Sequence, residues 1–172
     1  MLATGAGLFL STLGSAPPYR PGATPDDAGI LARFDDMVSA DIACAQLAAE
    51  RGHAKEVRDF AKTLVNEHGM AHQLARDVSV QINTTLRTSS DSPRGAEHAK
   101  VVKALRERPD VAFDVLFVRH EVEYHKELVG LINKEWIPAA KSADLSTLLT
   151  QAGPAFVAHL SMAEALQKAR VP

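Results

Sequence analysis

The chain has 172 residues, a usual length for one compact domain with a substantial core. Its 19 Lys and Arg residues nearly balance its 21 Asp and Glu residues, which argues against a nucleic-acid partner. Cys44 is the single cysteine, so an intrachain disulfide and a cysteine-based zinc or iron–sulfur cluster are excluded. A bound metal would have to be held by His and carboxylate groups.

The N-terminal region is predicted to lie outside the folded domain. Residues 1–16 are mainly apolar or small and end as a secretory signal does, although no positive residue precedes the apolar run. The run is too short to span a bilayer. Residues 17–25 contain several prolines and predict an extended linker. We expect an exported protein of the periplasm or cell envelope with its domain at 26–170; a cytoplasmic protein with a disordered tail is the alternative.

Helix one is predicted to begin at Thr24-Pro25, where a hydroxyl cap precedes a proline at the first helical position. Gly52 is expected to end it in the left-handed conformation. Its apolar stripe carries one charged residue, Asp41. Helix two is predicted from Ala54 to Leu86 by apolar residues that alternate in steps of three and four, and His68 lies on that stripe.

A polar break follows helix two, and residues 96–106 predict a short helical connection. Helix three is predicted from Val111 to Trp136, with His125 in register on its apolar stripe and Pro138 closing it. The last helical region, residues 143–170, contains Gly153-Pro154 and is expected to be kinked or divided there. His159 lies on its stripe.

No segment shows the two-residue alternation of a strand, so the predicted class is all-α. The simplest arrangement is an up-down-up-down four-helix bundle with an additional short helical connection between helices two and three.

The polar residues on the apolar stripes predict a buried polar centre. One interpretation is a metal site, because imidazole and carboxylate groups bind transition metals such as Zn, Fe, Cu or Ni. The candidate ligands are Asp41, His68, Glu121, His125 and His159. Glu121 is included as a ligand or as a partner that orients one. The alternative is that each histidine is a hydrogen-bonded core residue that only fixes the packing.

Counting along the helices does not by itself assemble this site. Measured from Gly52, Asp41 and His68 differ in level by about 7 Å at 1.5 Å per residue. Measured from Pro138, the levels of His125 and His159 along the helix axis differ by more than this. Glu121 lies nearer to the level of His159.

The remaining histidines and the cysteine are predicted to lie outside the centre. His53 and His98 have polar neighbours and are expected at the surface, and His72 and His120 at the boundary of the core. Cys44 is expected to be a small buried apolar residue.

Three histidine-centred segments carry a family resemblance: residues 60–68 (FAKTLVNEH), Phe113-Asp114 with Tyr124-His125-Lys126, and residues 158–163 (AHLSMA). Over residues 30–169 the chain resembles the bacterial family called domain of unknown function 4142. The resemblance implies a ferritin-like helical bundle and export to the cell envelope, where a protein partner or an oligomer is conceivable, but no established activity.

The chain departs from that family at Asp41, where Glu is usual, at Glu67, where Asp is usual, and at His72. It also lacks a Glu-x-x-His motif on any apolar stripe, which argues against a ferritin-type di-iron site. We therefore expect a non-enzymatic bundle that binds a metal or small ligand, with roles in envelope stress or metal handling. A structural or interaction module is the alternative, and a metal-dependent redox enzyme is a weaker one.

Overall fold

The structure, a computed structural model, describes residues 25–86 and 92–170. Within these ranges there is no β-strand, which confirms the all-helical class. The predicted leader, and the linker except for its last residue, lie outside the described residues. The long helices are α1 (Asp27–Arg51), α2 (Lys55–Gln81), α3 (Pro93–Arg106), α4 (Asp110–Leu131) and α5 (Ala143–Arg170).

The helices surround one elongated interior. Helix α1 packs along α2, α4 packs along α5, and α2 also contacts α5. Helix α3 packs against α1, and α4 makes only slight contacts with α1 and with α3. The predicted short helical connection is helix α3, and it covers one side of the interior. No helix in the described part of the chain is long and apolar enough to span a membrane.

Helix α1 begins two residues later than predicted. Its cap is Asp26, whose Oδ1 accepts a hydrogen bond of 2.8 Å from the backbone N–H of Gly29, and its first helical residue is Asp27. An Asp carboxylate at this position also interacts favourably with the positive end of the helix dipole. The predicted cap, Thr24, lies outside the described residues.

Gly52 ends α1 as predicted but for a different reason. Its φ of −52° is not left-handed. A Cβ atom at this position would instead lie 2.8 Å from the carbonyl oxygen of Ala48. The position therefore requires glycine because the backbone comes too close for any side chain.

The other helix ends also differ from the prediction. Helix α2 stops at Gln81 instead of Leu86, because Asn83 adopts a left-handed φ of 53° that ends a helix. Beyond Leu131, helix α4 continues through a π-helical turn and a final short helical turn to Ala139. Helix α5 is not divided at Gly153-Pro154, since it is one helix with Pro154 inside it.

Two carboxylates fasten the connections between helices. Asp114 accepts hydrogen bonds of 2.9 Å from the backbone N–H groups of both His53 and Ala54, which start α2. Asp27 likewise accepts bonds of 2.8 and 2.7 Å from the backbone of residues 141–142, just before α5. These bonds satisfy helix-start donors that have no partner within their own helix.

The apolar interior has two parts, which we call the Trp136 core and the Phe117 core after their central residues. Members of the Trp136 core include Ile30, Leu31, Phe34, Leu128, Trp136 and Phe156. Those of the Phe117 core include Phe60, Leu64, Leu105, Phe113, Phe117 and Val118.

A polar layer separates these two cores. On α1, Asp41 lies between Val38 of the Trp136 core and Ala45 of the Phe117 core. The same holds for three histidines: His68 lies between Leu64 and Ala71, His125 between Val122 and Leu128, and His159 between Phe156 and Ala163. The four residues therefore occupy one level of the interior.

Candidate metal centre

The structure brings together the five predicted site residues from four helices. Asp41, His68, Glu121, His125 and His159 are each completely buried. The level difference expected from residue counting is wrong for both pairs. Asp41 Oδ2 lies 3.2 Å from His68 Nδ1, and the ring centres of His125 and His159 are 5.2 Å apart.

Residue counting misplaced His125 relative to His159 because the connection between their helices does not lie where the counting assumed. Helix α4 runs on to Ala139 and α5 begins only at Ala143, so the midpoint of the connection lies beyond Pro138. His125 and His159 are consequently almost equally far from their helix ends. Glu121 is not needed to replace His125.

The three histidines form a compact triangle. Their ring centres are 5.4 Å apart for His68 and His125, 5.3 Å for His68 and His159, and 5.2 Å for His125 and His159. One ring nitrogen from each lies within 4.8 Å of those of the other two. These spacings suit three imidazoles around one ion.

Two of these rings have their tautomers set by partners outside the triangle. His125 Nδ1 lies 2.9 Å from the carbonyl oxygen of Glu121, which can only accept, so Nδ1 carries the hydrogen and Nε2 keeps its lone pair. His159 Nε2 donates to Glu67 Oε2 at 2.8 Å, which leaves the lone pair on Nδ1. That Nδ1 is buried and has no hydrogen-bond partner among the described residues.

His68 cannot satisfy both of its neighbours as a neutral ring. Its Nε2 is 3.4 Å from His125 Nε2, and its Nδ1 is 3.2 Å from the Asp41 carboxylate. If the hydrogen is on Nδ1, two lone pairs face each other; if it is on Nε2, a lone pair faces the carboxylate. A positive charge removes this conflict, either as a second proton on His68 or as a metal ion at the centre of the triangle.

The buried environment keeps the ring lone pairs available. Burial lowers the pKa of His125 despite the opposing charge of Asp41. Burial, reinforced by His68 and His125, lowers the pKa of His159 to about 3. Both rings are therefore neutral near pH 7, the form in which imidazole binds a metal.

The two buried carboxyl groups differ in charge. Burial alone would raise the pKa of Asp41, but His120, His68 and His98 outweigh it and hold that pKa well below its usual range. Burial and the neighbouring Asp41 charge raise the pKa of Glu121 well above its usual range. Asp41 is thus the negative charge of the layer, and Glu121 holds its proton more tightly than an exposed carboxyl group does.

A second group of ligand-type residues adjoins the triangle, and the sequence prediction placed its histidines elsewhere. His98, expected at the surface, is 3 % exposed. His120, expected at the boundary, points its Nε2 at Asp41. Cys44 is buried as expected, and burial followed by the charges of Asp41 and Glu121 raises its thiol pKa. One ligand atom from each of Asp41, Cys44, His98 and His120 lies within 4.8 Å of the others.

His98 could have been found by helical spacing. It lies seven residues before the completely buried Leu105, hence on the same face of a helix. The sequence pattern did not indicate this, because polar residues flank His98 and α3 buries only one narrow stripe. His53 is exposed as predicted, and His72 is partly exposed and bonded to Asp35 at 2.6 Å, as its boundary position predicted.

Comparison with known proteins identifies one family. The model of the family described as domain of unknown function (DUF4142) matches residues 13–166. No curated protein and no solved structure matches the chain.

Proposed function

The chain belongs to the DUF4142 family, and we propose that it is a metal-binding protein in which His68, His125 and His159 hold one transition-metal ion. The triangle of buried rings carries this proposal. Three ligand-type nitrogens converge in a space from which water is excluded, and a neutral His68 leaves one repulsive contact in either tautomer.

The distances support an ion more than a hydrogen bond. Two nitrogens bound to the same tetrahedral ion at about 2.1 Å lie roughly 3.4 Å apart. His68 Nε2 and His125 Nε2 are separated by 3.4 Å, which is long for a hydrogen bond. Without a shared cation, each buried polar atom left unsatisfied would cost about 1–3 kcal/mol.

Two of the three rings have an acceptor that orients them, and a carboxylate lies beside the third. Asp41 lies beside His68, the carbonyl of Glu121 accepts from His125, and Glu67 accepts from His159. Such outer acceptors fix the tautomer of a metal-binding histidine and raise its basicity. A bound ion would supply positive charge at the meeting point of the lone pairs.

We propose that the wider setting follows the family resemblance. The four long helices α1, α2, α4 and α5 would form a ferritin-like four-helix bundle, with α3 as an addition on one side. The apolar N-terminal residues support export to the cell envelope, where a non-enzymatic bundle of this kind would serve metal handling or envelope stress.

Thermal unfolding tests the proposal. Metal-stripped protein should be stabilised by at least one of Zn²⁺, Cu²⁺, Fe²⁺ or Ni²⁺, because a ligand that binds only the folded state adds about 4 kcal/mol at a thousand times its Kd. The His125→Ala variant, compared with its own metal-free form, should lose most of this gain.

The matched control is His53→Ala, since the His53 side chain is 54 % exposed and lies outside the layer. It should keep the full metal-dependent shift. If His125→Ala and His53→Ala respond equally, or if no metal stabilises the protein, the histidines serve only the packing of an interaction module.

A further inference from the structure

We propose that the chain has a second metal position, formed by Asp41, Cys44, His98 and His120, beside the three-histidine position. The second position goes beyond the proposed function, because no member of the triangle belongs to it. Asp41 links the two, with Oδ2 near His68 of the triangle and Oδ1 near the second group of histidines.

The orientation of His98 is the first argument. Its Nδ1 donates to the carbonyl oxygen of Arg94 at 3.3 Å, which leaves the lone pair on Nε2. That Nε2 is buried, has no hydrogen-bond partner in residues 25–86 and 92–170, and lies 3.7 Å from Asp41 Oδ1. A lone pair directed at a carboxylate oxygen is repulsive, and either a proton on Nε2 or a metal ion between the two atoms relieves the repulsion.

His120 points at the same oxygen from the other side. Its Nε2 is also 3.7 Å from Asp41 Oδ1 and is also buried without a partner within the described ranges. A distance of 3.7 Å is too long for a hydrogen bond. It is close to the separation of roughly 3.4 Å expected for two ligand atoms of one tetrahedral ion. Two histidines from α3 and α4 thus converge on one oxygen from α1.

Cys44 completes a set of four ligand atoms. It follows Asp41 by three residues on α1, so the two side chains share a face of the helix. On binding, the thiol proton would leave to solvent as the bond from Sγ to the metal forms. The thiolate and the Asp41 carboxylate would then neutralise a divalent ion, which suits a buried site with tetrahedral Cys, His and Asp ligands.

Two surface grooves reach this position. A groove of about 370 Å³ between α1 and α3 is lined in part by His98. Another, of about 270 Å³ between α3 and α4, is lined in part by His120. One histidine of the position therefore borders a groove on each side of α3.

Cobalt(II) titration of metal-stripped protein tests this proposal. Wild-type protein should bind two ions per chain, and the double variant His98→Gln/His120→Gln should bind one. The control His53→Gln should bind two. Circular dichroism establishes that each variant is folded before it is titrated.

A conservative substitution gives an independent readout. With Cys44 as a ligand, the cobalt(II) form should show a near-ultraviolet band from sulfur-to-cobalt charge transfer. Cys44→Ser should abolish that band and retain the visible cobalt bands of the histidine sites. A wild-type spectrum without the sulfur band, or a band that survives in Cys44→Ser, would contradict the ligand set.

The ion counts separate this proposal from the proposed function, with His125→Gln as the third variant. One ion retained in both His125→Gln and the double variant supports both positions. One ion in wild type that only His125→Gln removes overturns the second position, and one that only the double variant removes overturns the three-histidine position while supporting the second. If both ions are lost in the folded double variant, or none is lost, separate positions are excluded.

Discussion

At the scale of single residues, the side chain of Asp41 determines the character of the polar layer. It is completely buried and negatively charged, and histidines surround both of its oxygens. A buried carboxylate is stable only when it is paired. The short side chain of Asp41 keeps the charge close to α1, and rings from the other helices approach it there.

Glu67 provides a prediction about metal affinity. Its Oε2 accepts from His159 Nε2, so Glu67→Gln should loosen the orientation of that ring and weaken metal binding by about 10–100-fold, as is typical when an outer acceptor is removed. Competition with a chromophoric chelator measures the affinity. Glu123→Gln, an exposed change on α4, should leave it unchanged. Equal affinities in the two variants would show that Glu67 does not orient a ligand.

The buried candidate residues were predictable from the sequence where they interrupt a long apolar stripe. Asp41, His68, His125 and His159 do so, and all are buried. His98 was not predicted because α3 is short, buries only one narrow stripe, and has charged residues near the histidine in the sequence.

At the scale of helices, the sequence predicted the positions of the helices better than their ends. Ends depend on single backbone conformations, such as the left-handed Asn83 after α2, which a pattern of apolar residues does not record. Errors of a few residues at an end were enough to misplace His125 relative to His159. The sequence pattern therefore does not determine whether side chains from different helices lie within bonding distance of one another.

Two glycines allow a matched test of helix-end geometry. Gly52→Ala should lower the free energy of unfolding by about 1–3 kcal/mol, since its Cβ would lie 2.8 Å from the Ala48 oxygen and force a backbone shift. Gly69→Ala should raise it by about 0.5–1 kcal/mol, because no atom lies within 4 Å of that Cβ and alanine favours a helix interior. Denaturant unfolding measures both. Changes of the same sign would contradict the close-approach account of Gly52.

At the scale of the whole molecule, a polar layer between two apolar cores destabilises the fold unless its polar atoms are paired. Apolar residues of similar size at these positions would avoid the burial of several unsatisfied atoms. The Trp136 core and the Phe117 core would then merge into one. Binding of a cation in the layer accounts for the arrangement, since it pairs the lone pairs and the carboxylate at the same time.

The measurement that tests this account most directly is elemental analysis by mass spectrometry of untagged protein purified without chelator, beside the His68→Ala variant. We predict at least one equivalent of a transition metal per chain in the wild type and one equivalent less in the variant. The absence of metal from both preparations, or an equal content in both, would contradict the claim that the histidine triangle holds an ion.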